Sequence, residues 1–114
     1  MAEAQFVHGD PVMIDYTPTG GDVTAGTVVV VGQIPAVAHL AITNNTLGSL
    51  AAMGGVYDVT ALSNYAAGTR VYWDDTNNKV TTTSTNNTPF GTTVEAAAAA
   101  NTVVEVLHHP FTAA

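Results

Sequence analysis

VYWDDTNNKVTTT, residues 71–83, is the densest polar stretch of the chain and the one place where adjacent carboxylates, an aromatic pair and a cation meet. Two readings compete for it. A calcium loop of the helix–loop–helix kind, framed from Asp74, needs Asp or Asn at its third and fifth positions, Gly at the sixth and an acid at the twelfth. Thr76, Asn78, Lys79 and Thr85 stand there instead. The turn glycine and the bidentate acid are missing, and a cation sits inside the loop, so the metal reading fails. A hairpin with Asp75-Thr76-Asn77-Asn78 as its loop uses every residue. It sets Asp74 opposite Lys79, Trp73 opposite Val80, Tyr72 opposite Thr81, Val71 opposite Thr82 and Arg70 opposite Thr83. Trp73 with Val80 is an aromatic to β-branched pair, and Asp74 with Lys79 an opposite-charge pair. Alternation puts Val71 and Trp73 on one face and Arg70, Tyr72 and Asp74 on the other. Asn77 and Asn78 tolerate the left-handed backbone that the turn requires.

The same pattern runs outward from the hairpin. β-Branched residues broken by Gly, Pro and Asn predict short strands at Gln5–His8, Val12–Tyr16, Thr27–Val31, Ala36–Ile42, Val56–Thr60, Thr69–Trp73, Val80–Thr83, Gly91–Val94 and Thr102–Leu107. Val28-Val29-Val30-Val31, apolar at every position, fits a strand buried on both faces. Ala25-Gly26-Thr27-Val28-Val29 echoes Ala67-Gly68-Thr69-Arg70-Val71, so both predict the same turn opening a strand. Helix is scarce: Glu95 with Ala96–Ala100, and Leu47–Ala52, offer at most one or two short helical turns. The fold class expected is all-β.

The chain has 114 residues, room for one domain with a core of its own. It contains no cysteine, so disulfides and thiolate metal sites are ruled out. No stretch approaches the ~20 apolar residues that span a bilayer, and the N-terminus lacks a basic region followed by an apolar run. A soluble chain without a secretory signal is expected. Lys and Arg number 2 against 9 Asp and Glu, for a formal net charge of −7. Arg70 and Lys79 alone cannot neutralise a run of phosphates, so neither nucleic acid nor an anionic membrane is an expected partner. Only 10% of residues are charged, which describes a polar surface of the kind that neighbours cover.

Catalytic machinery is absent from the sequence. Ser49, Ser63 and Ser84 stand in no nucleophile elbow, and no glycine-rich loop ends in Lys-Ser or Lys-Thr. His108 and His109 are adjacent, so in a strand they point to opposite faces, while His8 and His39 stand alone. A metal protein would have to assemble these scattered histidines in space. No cofactor is expected. The first ten residues differ from the rest, with Phe6 and Val7 the large apolar side chains before a Gly9-Asp10-Pro11 break. They read either as a frayed terminus or as an arm that orders by adding to a partner's sheet edge, and composition favours the first.

GDPVMIDYTPTGGDVTAGTVVVVGQIPAVA (9–38) and AAGTRVYWDDTNNKVTTTSTNNTPFGTTVEAAAAANTVVEVLHH (66–109) resemble the capsid cement, or decoration, proteins of tailed bacteriophages. The most specific part is Ala-Gly-x-x-Val-Tyr-Trp-Asp-Asp followed by Val-Thr-Thr-Thr and Gly-x-x-Val-Glu-Ala-Ala-Ala. Two places depart from the pattern: Pro35-Ala36, where Gly-Val-Ala is more usual, and the tail from His108 to Ala114. The resemblance implies a small β-barrel or β-tulip domain (11–114) with an extended N-terminal arm (1–10). It also implies a homotrimer on the outer surface of the virion capsid, bound to the major capsid protein. It turns Gln5, Phe6, Val7 and His8 into capsid-contact residues, and leaves Tyr72, Trp73, Asp74, Lys79 and Val80 as the structural hairpin. Two other classes stand beside this reading. One is a β-barrel metal protein using the scattered histidines. The other is a head-surface adhesin-like module binding host glycans, which exposed Tyr16, Tyr57 or Tyr65 gathered beside polar loops would favour.

Overall fold

In the computed structural model, which describes residues 3–63, 65–95 and 103–110, the hairpin at the centre of the sequence pairs Tyr72 with Thr81, Trp73 with Val80 and Asp74 with Lys79. Its loop carries one left-handed residue, Asn78 at φ 55°. The ladder stops at Thr81, short of the Val71–Thr82 and Arg70–Thr83 pairs, because Thr81 Oγ1 accepts the Thr83 N–H at 3.2 Å and turns the chain away. The described residues form ten strands and no helix. These are β1 (Ala4–His8), β2 (Val12–Tyr16), β3 (Val28–Val31), β4 (Ile34–Val37), β5 (Gly48–Met53), β6 (Val56–Thr60), β7 (Arg70–Asp74), β8 (Lys79–Thr81), β9 (Thr88–Glu95) and β10 (Val103–His108).

Two antiparallel sheets result, ordered β1-β6-β10-β9-β7-β8 and β2-β5-β4-β3. The larger one curls until its flanks meet: Ala61, just past β6, makes a parallel bridge to Val80 of β8, and Leu62 N–H donates to Val80 O at 3.0 Å. One bridge is not a ladder, and the two sheets are not closed into a barrel. The all-β expectation holds.

Leu47–Ala52, read as a helical turn, is strand β5 instead. Leu50, Ala51 and Ala52 are all buried there, with β2 on one side and β4 on the other. Pairing to two neighbours overrides the helix propensity of alanine. The other helical candidate falls on 96–100, outside the described residues. The strand expected over Ala36–Ile42 is shorter and earlier, Ile34–Val37, since Gly32-Gln33 makes a tight turn that brings Ile34 opposite Val31. Ile42 keeps only an isolated bridge to Val23.

The four valines of β3 divide between two cores. Val28 and Val30 join a cluster lying between the sheets, which includes Val37 and Ala51 of the smaller sheet and Tyr57, Trp73, Phe90 and Val106 of the larger one. Val29 and Val31 pack on the far side of the smaller sheet with Ala36, Ile42 and Leu50. Full burial of each large side chain contributes roughly 1.5–3 kcal/mol, so the shared layer is what holds the sheets together.

Candidate functional site

β1 is an edge strand, because its neighbour in the larger sheet is β6 alone. Ala4 stands opposite Val59, Gln5 opposite Asp58 and Phe6 opposite Tyr57, with a bulge before His8 meets Val56. Ala4 is the strand's one buried residue; Gln5, Phe6, Val7 and His8 are exposed. The four expected contact residues thus share one short, accessible segment. The Ala4 N–H donates outward to Gly26 O at 3.0 Å. Backbone groups alternate sides along a strand, so Phe6, two residues on, turns its N–H and C=O the same way. They face a groove of about 350 Å³ between β1 and the smaller sheet, walled by Phe6, Val37, Ala38 and His39.

Glu3 stitches this corner. Its carbonyl accepts the Thr60 N–H at 3.0 Å, and its carboxylate accepts the Val28 N–H at 2.9 Å. A single acidic residue so ties β1 to β6 of its own sheet and to β3 of the other. Sequence reasoning missed Glu3, because nothing local marks an acid that caps a strand 25 residues away.

Behind β1 runs a chain of rings. Phe6 lies 4.8 Å from the His39 ring and 5.5 Å from Tyr57. Tyr57 meets His108 edge-on at 5.5 Å, His108 lies 4.7 Å from Phe90, and Phe90 5.9 Å from Trp73. An exposed ring at the edge is therefore continuous with the deepest part of the core. His39 Nε2 and the Tyr57 hydroxyl are 2.5 Å apart. Burial pushes the Tyr57 hydroxyl up to about 12 and lowers His39, so both stay neutral at pH 7. His108 is fully buried, its Nε2 2.7 Å from Pro35 O. A carbonyl only accepts, so Nε2 carries the proton and Nδ1 is a bare lone pair, which has no partner. Burial pushes His108 down to about 4 against the opposing pull of the Pro35 carbonyl. The Pro35 carbonyl of β4 thus joins the smaller sheet to β10 of the larger one.

The histidines do not make a metal centre. His8 is exposed, His39 bonds Tyr57, His108 bonds Pro35 O, and His109 Nε2 lies 2.9 Å from Thr92 Oγ1. Among the described residues no three of His, Asp or Glu are grouped to hold an ion. Nor do the tyrosines form a sugar platform: Tyr57 is in the core, Tyr65 packs against that cluster and Tyr16 against the other. A polar concavity of about 370 Å³ lies beside the hairpin loop. Among the described residues lining it there is no aromatic ring.

The hairpin's polar groups are used locally. The Asp74 carboxylate accepts N–H groups of Thr76 at 3.0 Å and Asn77 at 3.2 Å, and the Asn77 side-chain amide at 2.8 Å. Those bonds, the Asn77 side chain's foremost, hold Asp74 below the usual carboxylate range. Its carboxylate thus binds the turn, although Lys79 stands directly across the strands. Asp75 accepts from the Trp73 indole N–H at 3.1 Å and fixes that ring in the core.

No curated protein and no solved structure shows a significant match to the chain. A family model does, that of the phage cement proteins, and the match covers residues 7–108. It spans β2 to β10, the end of β1 and both core clusters except Ala4. Cement proteins are structural components of phage capsids and not an enzyme family. With nearly its whole length matched, this all-β chain belongs to the phage cement protein family.

Proposed function

We propose that the chain is a decoration subunit that binds the outer surface of the mature phage head as a homotrimer and stabilises the contacts between capsomers. Its partner is the major capsid protein, residues 1–10 act as the contact arm, and residues 11–114 form the body. The observation that carries this reading is the family match over residues 7–108. The exposed Gln5, Phe6, Val7 and His8, on a strand whose outer side faces an apolar groove, support the arm. A net charge of −7 suits a subunit kept away from packaged DNA and limits nonspecific association.

Stabilisation by such a subunit is mass action. Whatever binds only the assembled lattice stabilises it by the free energy of binding, about 2.7 kcal/mol at a hundred times Kd. Attachment through three subunits prolongs residence beyond any one contact. The test adds purified protein to expanded heads lacking it and measures their thermal survival. Wild-type protein is expected to bind and raise the temperature of head disruption. A Phe6→Ala, Val7→Asp variant, folded by circular dichroism, is expected to bind at least tenfold more weakly. No binding by the wild type sinks the cement role; undiminished binding by the variant sinks the arm.

A further inference from the structure

β1 and β2 follow one another in the chain but belong to different sheets. Only Gly9-Asp10-Pro11 joins them, so no hairpin pairing holds β1 to its successor. That connection is tight. Gly9 sits at φ +113°, and a Cβ there would lie 2.8 Å from the Gly55 Cα. Short, tight hinges next to an edge strand favour exchange between copies.

The bonds that hold β1 are of the kind a second copy reproduces. They are the ladder to β6, Ala4 N–H to Gly26 O, Thr60 N–H to Glu3 O and Val28 N–H to the Glu3 carboxylate. Four of the five residues of β1 are exposed, so lifting the strand uncovers chiefly the seat of Ala4 and the sides of His39 and Tyr57 that meet Phe6. Three hinge residues reach roughly 10 Å when extended, enough to swing the strand away from its own sheet.

We propose that β1 is an exchangeable strand: the β6 edge of one copy accepts Glu3–His8 of a second copy of this chain, with Gly9–Pro11 as the hinge. Exchange leaves every sheet complete and converts neighbouring subunits into a strand-linked assembly. It does not depend on what the chain docks upon, since both the strand and its acceptor edge belong to this molecule.

The chain has no cysteine, so engineered pairs report without background. Gln5 and Asp58 stand directly opposite across β1 and β6, a placement that suits a disulfide. Gln5→Cys and Asp58→Cys proteins are mixed in equal amounts at high concentration, equilibrated, oxidised and resolved without reductant. Random collision yields mixed and like dimers near two to one to one; exchange is expected to raise the mixed dimer at least tenfold over either like dimer. The double variant, oxidised when dilute, is expected to close within one chain. Gly9→Ala, placed in both single variants, strains the closed hinge and is expected to raise the mixed dimer further. Statistical yields, a double variant that stays open when dilute, or a yield unmoved by Gly9→Ala each overturn the proposal.

Discussion

His108 shows how much one buried side chain decides. Its Nε2–H reaches across the intersheet layer to Pro35 O, and its Nδ1 faces the core with no donor. Protonation would place a charge among Tyr57, Phe90 and Pro35, near His39 and His109, none of which is a carboxylate. The folded group therefore resists the proton until about pH 4, whereas the unfolded one takes it near 6.5. Between those values the unfolded state binds more protons, so stability is full above pH 6.5 and falls as the pH drops toward 4. At 1.4 kcal/mol per pH unit the loss is roughly 3 kcal/mol. Asp74, held below the usual carboxylate range, adds a loss of the same sign at lower pH. His108→Gln keeps an N–H for Pro35 O and removes the titration. Urea unfolding of that variant is expected to show a flatter dependence between pH 6.5 and 4 than the wild type; an equal slope would assign the loss elsewhere. The role of His108 was not legible in the sequence. Adjacency to His109 disclosed opposite faces, but a carbonyl 73 residues away decides what the buried one does. Phe6 and Val7 stood out as apolar residues before a glycine break, while His39 and Tyr57, the rings beside Phe6, are joined to it only by folding.

Elements whose partners lie close in sequence were the legible ones. The β7–β8 hairpin follows from its own turn chemistry and alternation, and its register is local. The repeated Ala-Gly-Thr openings share a geometry as well: Gly26 and Gly68 both sit at φ 85°, each just before a strand. β5 was misread because three consecutive buried residues, two of them alanine, carry no period, and only the strands flanking it make it a strand. β9, expected over Gly91–Val94, runs from Thr88 to Glu95 and so takes in Pro89. The proline is tolerated where the β7–β9 register shifts, between Val71–Gly91 and Tyr72–Pro89. Two glycines separate the costs of conformation and of space. Gly68 has open space around its missing Cβ, so Gly68→Ala meets only the left-handed strain, about 1 kcal/mol. Gly91 has an ordinary backbone, but a Cβ there would land on the carbonyl oxygen of Leu107. Gly91→Ala must push β9 away from β10 and is expected to cost at least about 3 kcal/mol or abolish folding. Chemical denaturation ranks the two; equal effects would show that β9 and β10 yield without loss.

At the scale of the molecule, what could not be read was which strands meet. β1 pairs with β6, and β6 with β10, across gaps bridged by no local signal, so the expected barrel had no sheet order behind it. The order settles how the protein should unfold. The larger core cluster takes Val28, Val37 and Ala51 from one sheet and Trp73, Val80 and Phe90 from the other, leaving neither sheet a complete apolar layer of its own on that side. The two sheets are then one cooperative unit, and damage to either is felt by both. Trp73, the chain's single tryptophan, lies in the larger sheet and reports there alone. Val37 belongs to the smaller sheet and is 1% exposed. Val37→Ala removes two methyl groups from the shared layer and is expected to cost roughly 2 kcal/mol, a fall in Tm of about 6–12 °C. If the sheets unfold together, tryptophan fluorescence and far-ultraviolet circular dichroism will shift by the same amount in this variant. A fluorescence midpoint that stays at the wild-type value while the dichroism midpoint falls would mean that the sheets come apart first. The intersheet layer would then be a seam between two units.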